Sequence, residues 1–129
     1  MKESNNITHL HHIGFATHNP LKYLKQLKEN GGVLEHTGTC HYYNTKCWFI
    51  RFNGILLELI KPINDKSPIH KYLKKKGEGL HHLAFNVKTQ PNVCFDGALP
   101  NMKIKFNELS KDNKLLIEEV YFNEVKNVN

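Results

Sequence analysis

Two segments of this 129-residue chain open with the same short pattern, and that repetition constrains the fold more than any other feature. Residues 11–19 read HHIGFATHN and residues 81–89 read HHLAFNVKT. Each begins with two histidines, which are followed by a branched apolar residue, a small residue and a phenylalanine. Apolar residues with partial alternation predict a β-strand in both places. The offset of 70 residues therefore indicates two copies of one βαβββ unit.

The first copy covers residues 9–62 and carries clear start and stop signals. Asn19 and Pro20 predict a helix N-terminus, since asparagine is a good N-cap and proline suits the first helical position. Asn53-Gly54 predicts a tight hairpin turn. The predicted elements are strand 11–18, helix 20–30 and strands 33–39, 45–52 and 55–61.

The second copy covers residues 79–122 and follows a polar linker at 63–78. Ser67 predicts the cap of a short helix within this linker. Prolines bound the stretch 90–100, which holds a short helix at most. The other predicted elements are strands 80–88, 102–109 and 114–122, a turn at Asp112-Asn113 and a polar tail that frays.

Composition favours one soluble domain over residues 1–129. No apolar run approaches the roughly 20 residues of a spanning helix, so we expect no membrane partner. The first residues lack the apolar segment of a secretory signal, and the three cysteines have no CxxC spacing. We therefore expect a reduced, cytoplasmic setting.

The net charge of +6 rests almost entirely on lysine. Arg51 is the only arginine, and arginine is the usual reader of guanine edges. We therefore expect no nucleic-acid partner, and an anionic small substrate is favoured instead. A lysine-rich stretch in the linker is either a solvated helix face or a rim that attracts such a substrate. Its members are Lys71, Lys74, Lys75 and Lys76.

Two histidines and two glutamates are the candidate site residues. Strand alternation predicts that only one histidine of each pair points inward, and these are His12 and His82 if Ile13 and Leu83 face the helix side. Glu58 and Glu118 lie inside apolar strands, where a carboxylate is costly unless it is paired or metal-bound. Two histidines and one or two glutamates in a cleft suit a divalent ion with open coordination positions.

Simpler explanations exist for each of these residues. A single histidine in a strand is more often structural or exposed than functional. The Glu58 carboxylate could instead pair with Lys46 or Arg51, or lie at a sheet edge.

Four stretches of the sequence also resemble the vicinal oxygen chelate superfamily, in particular its glyoxalase I and methylmalonyl-CoA epimerase branch. They read HHIGFAT, NGILLELIKP, SPIHKYLKKKGEGLHHLAFNV and LLIEE. The resemblance implies paired βαβββ modules whose curved sheet surrounds a cleft. It implies metal ligands at His12, Glu58 and His82 and a fourth carboxylate on the last strand, for which Glu118 is the candidate. The ion would be Zn, Ni, Co, Mn or Fe.

The activity implied by the resemblance is that of an isomerase or lyase of the lactoylglutathione lyase or methylmalonyl-CoA epimerase type. Such an enzyme moves a proton beside a carbonyl of a small thioester or hemithioacetal through a metal-stabilised enolate, with Glu118 as the catalytic base. The substrate would be an acyl-CoA or a glutathione-type thioester, and the chain would form a homodimer. The alternatives are a metal-free binding protein of the bleomycin-resistance type and a non-haem iron dioxygenase.

The sequence departs from this family pattern in two places. His12 and Glu58 are 46 residues apart, whereas His82 and Glu118 are 36 apart, so the second module is short by about one strand. If 114–122 is the last strand, Glu118 matches the fourth ligand; if it is the penultimate strand, that ligand is missing. The epimerases also use a non-ligand glutamate just before the third strand. Residues 41–44 here read HYYN, where only His41 or Tyr43 could handle a proton.

Overall fold

The computed structural model describes residues 6–108 and 115–123 and contains one eight-stranded sheet with two helices in those ranges. The predicted turn at Asp112-Asn113 and the predicted polar tail from residue 124 lie outside the described residues. In chain order the elements are β1 (Ile7–Ala16), α1 (Pro20–Glu29), β2 (Val33–Cys40), β3 (Thr45–Phe52), β4 (Ile55–Pro62), α2 (Pro68–Lys76), β5 (Gly79–Val87), β6 (Phe95–Asp96), β7 (Met102–Glu108) and β8 (Leu116–Phe122).

The strand order β2-β3-β4-β1-β5-β8-β7-β6 contains two copies of the same arrangement, side by side. At the centre, β1 and β5 pair antiparallel. On either side, β4 runs parallel to β1 and β8 runs parallel to β5. The expected α+β fold of paired βαβββ modules is therefore confirmed, and its sheet curls into a half-barrel.

The second module is shortened in its crossover. In the described part of the chain, no helix connects β5 to β6, and β6 has only two residues. In the first module, α1 supplies ten residues at the equivalent place. The last strand is retained, because β8 pairs with β5 as β4 pairs with β1. The segment 114–122 could be the last strand of the module or the penultimate one. The structure supports the first alternative, in which β8 is the last strand and the counterpart of β4.

The two helices cover different parts of the curled sheet. Leu24 of α1 packs with Ile50 and Leu59, which belong to a small core on the helix side. Ile69 and Leu73 of α2 belong to the larger core, which lies around the inside of the curl. One of the two predicted N-caps is confirmed, because Ser67 Oγ accepts a 3.2 Å hydrogen bond from the backbone N–H of Ile69. The side chain of Asn19 makes no capping hydrogen bond to α1.

The outer edges of the curled sheet approach each other. Cys40 at the end of β2 donates a 3.5 Å hydrogen bond to the carbonyl of Asp96 in β6. The ring of Tyr42 stacks on Phe95, with 3.6 Å between centroids. These contacts make the inside of the curl a partly enclosed space. Within the described ranges, neither helix has the length and hydropathy that a membrane crossing requires.

Candidate metal centre

Four buried side chains meet at one point inside the curled sheet. Nε2 of His12 lies 3.0 Å from Oε1 of Glu58 and 3.1 Å from Oε1 of Glu118. Nε2 of His82 lies 3.1 and 3.3 Å from the same two oxygens. The two Nε2 atoms are themselves 3.1 Å apart. No member of this group is more than 6% exposed.

The four central strands contribute one residue each to this group. His12 lies on β1, Glu58 on β4, His82 on β5 and Glu118 on β8. The strand register is equivalent in the two modules, since Gly14 pairs with Glu58 in the first and Ala84 pairs with Glu118 in the second. Each of these small residues follows its module's inward histidine by two positions. Each module therefore places one histidine and one glutamate in the buried group.

The electrostatics of the group reflect its burial. Burial alone would lower the pKa of His12, but the carboxylates of Glu58 and Glu118 outweigh it and raise that pKa to about 10. Burial would raise the pKa of Glu58, but His12 and His82 hold it well below its ordinary value. Charged partners therefore decide both ionisation states.

The group has the chemistry and the spacing of a cation site. Imidazole nitrogens and carboxylate oxygens suit several divalent transition metals. Two ligands at about 2.1 Å from one ion lie roughly 3.0 to 3.4 Å apart at octahedral or tetrahedral angles, which matches the contacts above. Oε1 of Glu118 is buried and has no hydrogen-bond partner among the described residues, although both Nε2 atoms lie within 3.3 Å of it. The described residues thus contain a buried group of two histidines and two glutamates that could bind a metal ion.

A cavity of about 200 Å³ opens beside the group. Glu58, His82 and Glu118 line it on one side, and Tyr43 lines it as well. Burial raises the pKa of Tyr43 to about 12, so its hydroxyl stays protonated at neutral pH. No lysine or arginine of the described residues lines the cavity. Most of its remaining wall is apolar: Ile60, Pro68, Ile69, Ala98, Met102, Ile104, Phe106 and Leu116.

The simpler explanations for Glu58 do not hold in the structure. Arg51 instead pairs with Glu35 on the surface, at 3.1 Å. The ammonium group of Lys46 lies over the ring of Trp48, 5.4 Å from its centroid. Glu58 does not lie at an edge of the sheet, since its strand lies between β3 and β1.

Of the two residues suggested for proton handling before β3, only Tyr43 reaches the cavity. His41 is exposed, and it lines a separate surface groove beside Tyr42 and Cys94. The structure describes no carboxylate at this place in the chain, because residues 41–44 are His, Tyr, Tyr and Asn.

Strict alternation was wrong about the pair on β5, where both histidines face the cavity. His81 is buried and lines the cavity beside His82, and the two Nδ1 atoms are 2.8 Å apart. His11 is half-buried, with its Nδ1 2.7 Å from Nδ1 of His12. Register shifts in the β1–β5 pairing allow these contacts, because they break the alternation at both pairs. The doubled histidine in the sequence was the signal for these contacts, although strand alternation assigned an inward position to only one histidine of each pair.

Comparison with known protein families gives two matches in sequence. A family described as the glyoxalase/bleomycin resistance protein/dioxygenase superfamily matches residues 8–106. A curated relative is the uncharacterized protein YqjC of Bacillus subtilis (strain 168), which is 38% identical over 78 residues. That match covers 59% of this chain and 55% of YqjC, so the chain spans about half the length of the curated relative that it matches.

Solved structures give a wider likeness. Methylmalonyl-CoA epimerase from Mycobacterium tuberculosis superposes with a TM-score of 0.84 at 20% identity, over 96% of this chain and 94% of the epimerase. A variant of Streptomyces coelicolor methylmalonyl-CoA epimerase, solved in complex with 2-nitronate-propionyl-CoA, superposes with a TM-score of 0.79 at 23% identity. That match covers 92% of this chain and 99% of the epimerase. At these identities the likeness shows a shared fold.

Proposed function

Because the chain belongs to the glyoxalase/bleomycin resistance protein/dioxygenase superfamily, we propose that it is a divalent-metal-dependent enzyme that moves a proton beside a carbonyl group. Its substrate is a small thioester or hemithioacetal. One observation carries the proposal: His12, Glu58, His82 and Glu118 form one buried group, and three of its members, Glu58, His82 and Glu118, line a largely apolar cavity. A binding protein that only sequesters a ligand has no need of four convergent ligand atoms there.

We propose that all four residues hold the ion. A divalent cation bound there supplies a Lewis acid that stabilises negative charge on a substrate carbonyl oxygen. The dioxygenase alternative is less well supported, since those iron sites use two histidines and one carboxylate. Here a second carboxylate, from Glu118, lies within 3.3 Å of Nε2 of both histidines, and that of Glu58 lies within 3.1 Å of them.

Glu118 is the proposed base. Its carboxylate lines the cavity, beside the space that a substrate would occupy. Glu118 would take the proton from the carbon beside the carbonyl and return it to the substrate. Tyr43, whose hydroxyl is protonated at neutral pH, can donate a hydrogen bond into the same cavity.

The residues that line the cavity favour an isomerisation, which needs one base, over an epimerisation. Epimerisation removes a proton from one face of a carbon and delivers one to the other face, which is most easily done by two acid–base groups. Among the described residues, the carboxylates that line the cavity are Glu58 and Glu118. Glu118 is the proposed base, and Glu58 is the poorer proton acceptor because His12 and His82 hold its pKa well below its ordinary value. The place before β3 offers Tyr43 instead of a third carboxylate.

The proposed substrate joins a small acyl part to an anionic carrier such as coenzyme A or glutathione. The apolar wall of the cavity suits the acyl part. The helix α2 contributes Ile69 to that wall and carries four exposed lysines on its outer side. These lysines could attract the anionic carrier as it approaches. The complex of the Streptomyces epimerase with an acyl-CoA compound is consistent with this class. A homodimer and a cytoplasmic location remain predictions.

The proposal is tested by metal analysis and by deuterium exchange on protein purified without a histidine tag. We expect about one divalent ion per chain. In D2O, acyl-CoA and hemithioacetal candidates should gain deuterium at the carbon beside the carbonyl, as measured by mass spectrometry.

Two glutamates on the same strand provide a matched pair for this assay. Glu118→Gln should lower the exchange rate by about 100-fold or more. Glu119→Gln should leave it unchanged, because Glu119 bonds to Asn107 away from the cavity. Wild-type protein that holds no metal and exchanges none of the candidates would contradict the proposal and favour a metal-free binding protein.

A further inference from the structure

Both histidine pairs lie at β-bulges in the central β1–β5 pairing. On β1, Leu10 pairs with Phe85 and His12 pairs with Ala84, so His11 is an extra residue. On β5, His82 pairs with Gly14 and Leu80 pairs with Phe15, so His81 is an extra residue there. A bulge places two successive side chains on nearly the same side of a strand. Each inward histidine therefore has its predecessor beside it.

The same hydrogen bond forms at both bulges. Nδ1 of His11 lies 2.7 Å from Nδ1 of His12, and Nδ1 of His81 lies 2.8 Å from Nδ1 of His82. At these distances one nitrogen of each pair carries the proton and the other accepts it. The ring planes are nearly perpendicular in both pairs, at 80° and 89°.

The position of the other ring nitrogen decides which partner donates. Nε2 of His12 and Nε2 of His82 face the two carboxylates of the proposed metal site. A neutral histidine that binds an ion through Nε2 keeps its proton on Nδ1. His12 and His82 are then the donors, and the Nδ1 atoms of His11 and His81 are the acceptors.

We propose that His11 and His81 are positioning residues that hold His12 and His82 in the ring orientation and tautomer needed to bind a metal ion through Nε2. This inference rests on the proposed metal site. The second nitrogen of a metal-binding histidine usually donates its hydrogen bond to a carboxylate, a backbone carbonyl or water. Here the chain uses another imidazole, and it does so in both modules.

Aromatic neighbours hold the accepting rings in place. The His81 ring packs edge-on against Tyr72, at 4.8 Å between centroids, and near Phe106, at 6.1 Å. The His11 ring lies 5.3 Å from Phe122 of β8. A histidine that only filled space would not need to direct its Nδ1 at the Nδ1 of its neighbour. The same orientation occurs at the second bulge, which argues against coincidence.

Three variants separate positioning from packing. His81→Phe keeps a ring against Tyr72 but removes the acceptor. His81→Asn places an amide oxygen near the former Nδ1 and so restores an acceptor. His36→Phe is the control, because His36 also follows a bulge, between Leu34 and His36 in the β2–β3 pairing, but does not line the cavity.

Metal affinity is measured with Zn²⁺ by competition against a chromophoric chelator, and the histidine tautomers are read from ¹⁵N NMR of the Zn²⁺-loaded protein. We expect His81→Phe to weaken Zn²⁺ binding by roughly 10- to 100-fold. His81→Asn should recover most of that loss, and His36→Phe should bind as the wild type does. The wild-type spectrum should show His12 and His82 with protons on Nδ1.

Each outcome separates the two proposals. Wild-type protein that does not bind Zn²⁺ or another divalent ion would overturn the proposed function. Wild-type binding together with unchanged affinity in His81→Phe, or with Nε2 protonated in His12 and His82, would overturn the positioning role alone. Equal losses in His81→Phe and His81→Asn would indicate packing and would also overturn it. Circular dichroism of each variant without metal checks that the fold is retained.

Discussion

Gly14 of β1 lies directly opposite His82 of β5, and a methyl group on Gly14 would overlap the imidazole ring of His82. The reciprocal pair has His12 opposite Ala84, again a small residue. The small position in each copy of the repeated pattern is therefore the place where the other module's histidine packs. This explains why the pattern combines paired histidines with glycine or alanine.

Gly14→Ala should displace the His82 ring and weaken metal binding by about 10-fold or more, because an added methyl group in a tightly packed site forces side chains to shift. The matched control is Gly79→Ala on β5, where an added Cβ meets no atom within 4 Å. Chelator competition measures both affinities. Equal affinity in Gly14→Ala and wild type would mean that the His82 ring has room to move.

Removal of the ion should destabilise the fold. A ligand present at 100 times its Kd stabilises the folded state by about 2.7 kcal/mol, which corresponds to a fall in Tm of roughly 10 °C on removal for a domain of this size. Differential scanning fluorimetry with EDTA, followed by re-addition of the ion, measures this. His82→Gln keeps a polar group near Glu58 but loses the imidazole, so its Tm should not respond to EDTA. A wild-type Tm that is unchanged by EDTA would speak against a bound ion.

The stability of the metal-free protein should fall as pH rises above neutrality. The pKa of His12 is raised from 6.5 to about 10 in the folded protein, so the stabilisation by protonated His12 is fully present below pH 6.5 and is lost as pH approaches 10. The pKa of Glu58 is lowered, so its contribution is present above about pH 4.5 and is lost in acid. Urea unfolding of wild type and His12→Gln, compared between pH 6 and pH 9, isolates the histidine contribution. A difference between the two proteins that grows with pH would contradict this assignment.

Metal affinity should change with pH in the opposite direction. His12 must lose its proton before Nε2 can bind an ion, so binding releases protons and strengthens as pH rises. Chelator competition at pH 6, 7 and 8 measures the trend. Affinity that is independent of pH over this range would show that His12 is not protonated in the metal-free protein.

Reversal of the charge on α2 should weaken substrate binding without slowing the chemical step. Lys71, Lys74 and Lys75 are exposed, and replacing all three by glutamate should raise KM for a CoA thioester by roughly 10-fold at low salt. The effect should shrink as salt is added, since screening acts on exposed charges. The matched control is the triple change to glutamate at Lys22, Lys25 and Lys28, which are exposed on α1. Equal changes in KM for both triple variants would assign the effect to net charge rather than to α2.

Much of the first module and of the linker could be predicted from local signals. Pro20 begins α1 as predicted, Asn53-Gly54 connects β3 and β4, and Ser67 caps α2. The inward direction of His12, His82 and Glu58 also followed from alternation and from the cost of a lone carboxylate in an apolar strand. The second module was harder to predict, because its described residues contain no crossover helix and only a two-residue β6, which leaves few periodic residues to interpret.

The sequence by itself determined that the chain has two related modules and that His12, His82 and Glu58 point inward, because strand alternation, turn residues and repeats are local properties. The tertiary structure decided that β8 lies parallel to β5 and brings Glu118 to the other three residues, and that bulges turn His11 and His81 toward their neighbours. Both outcomes depend on the register between strands that are distant in sequence. That register is set by the total energy of pairing and packing across the sheet, which no short segment of the sequence contains.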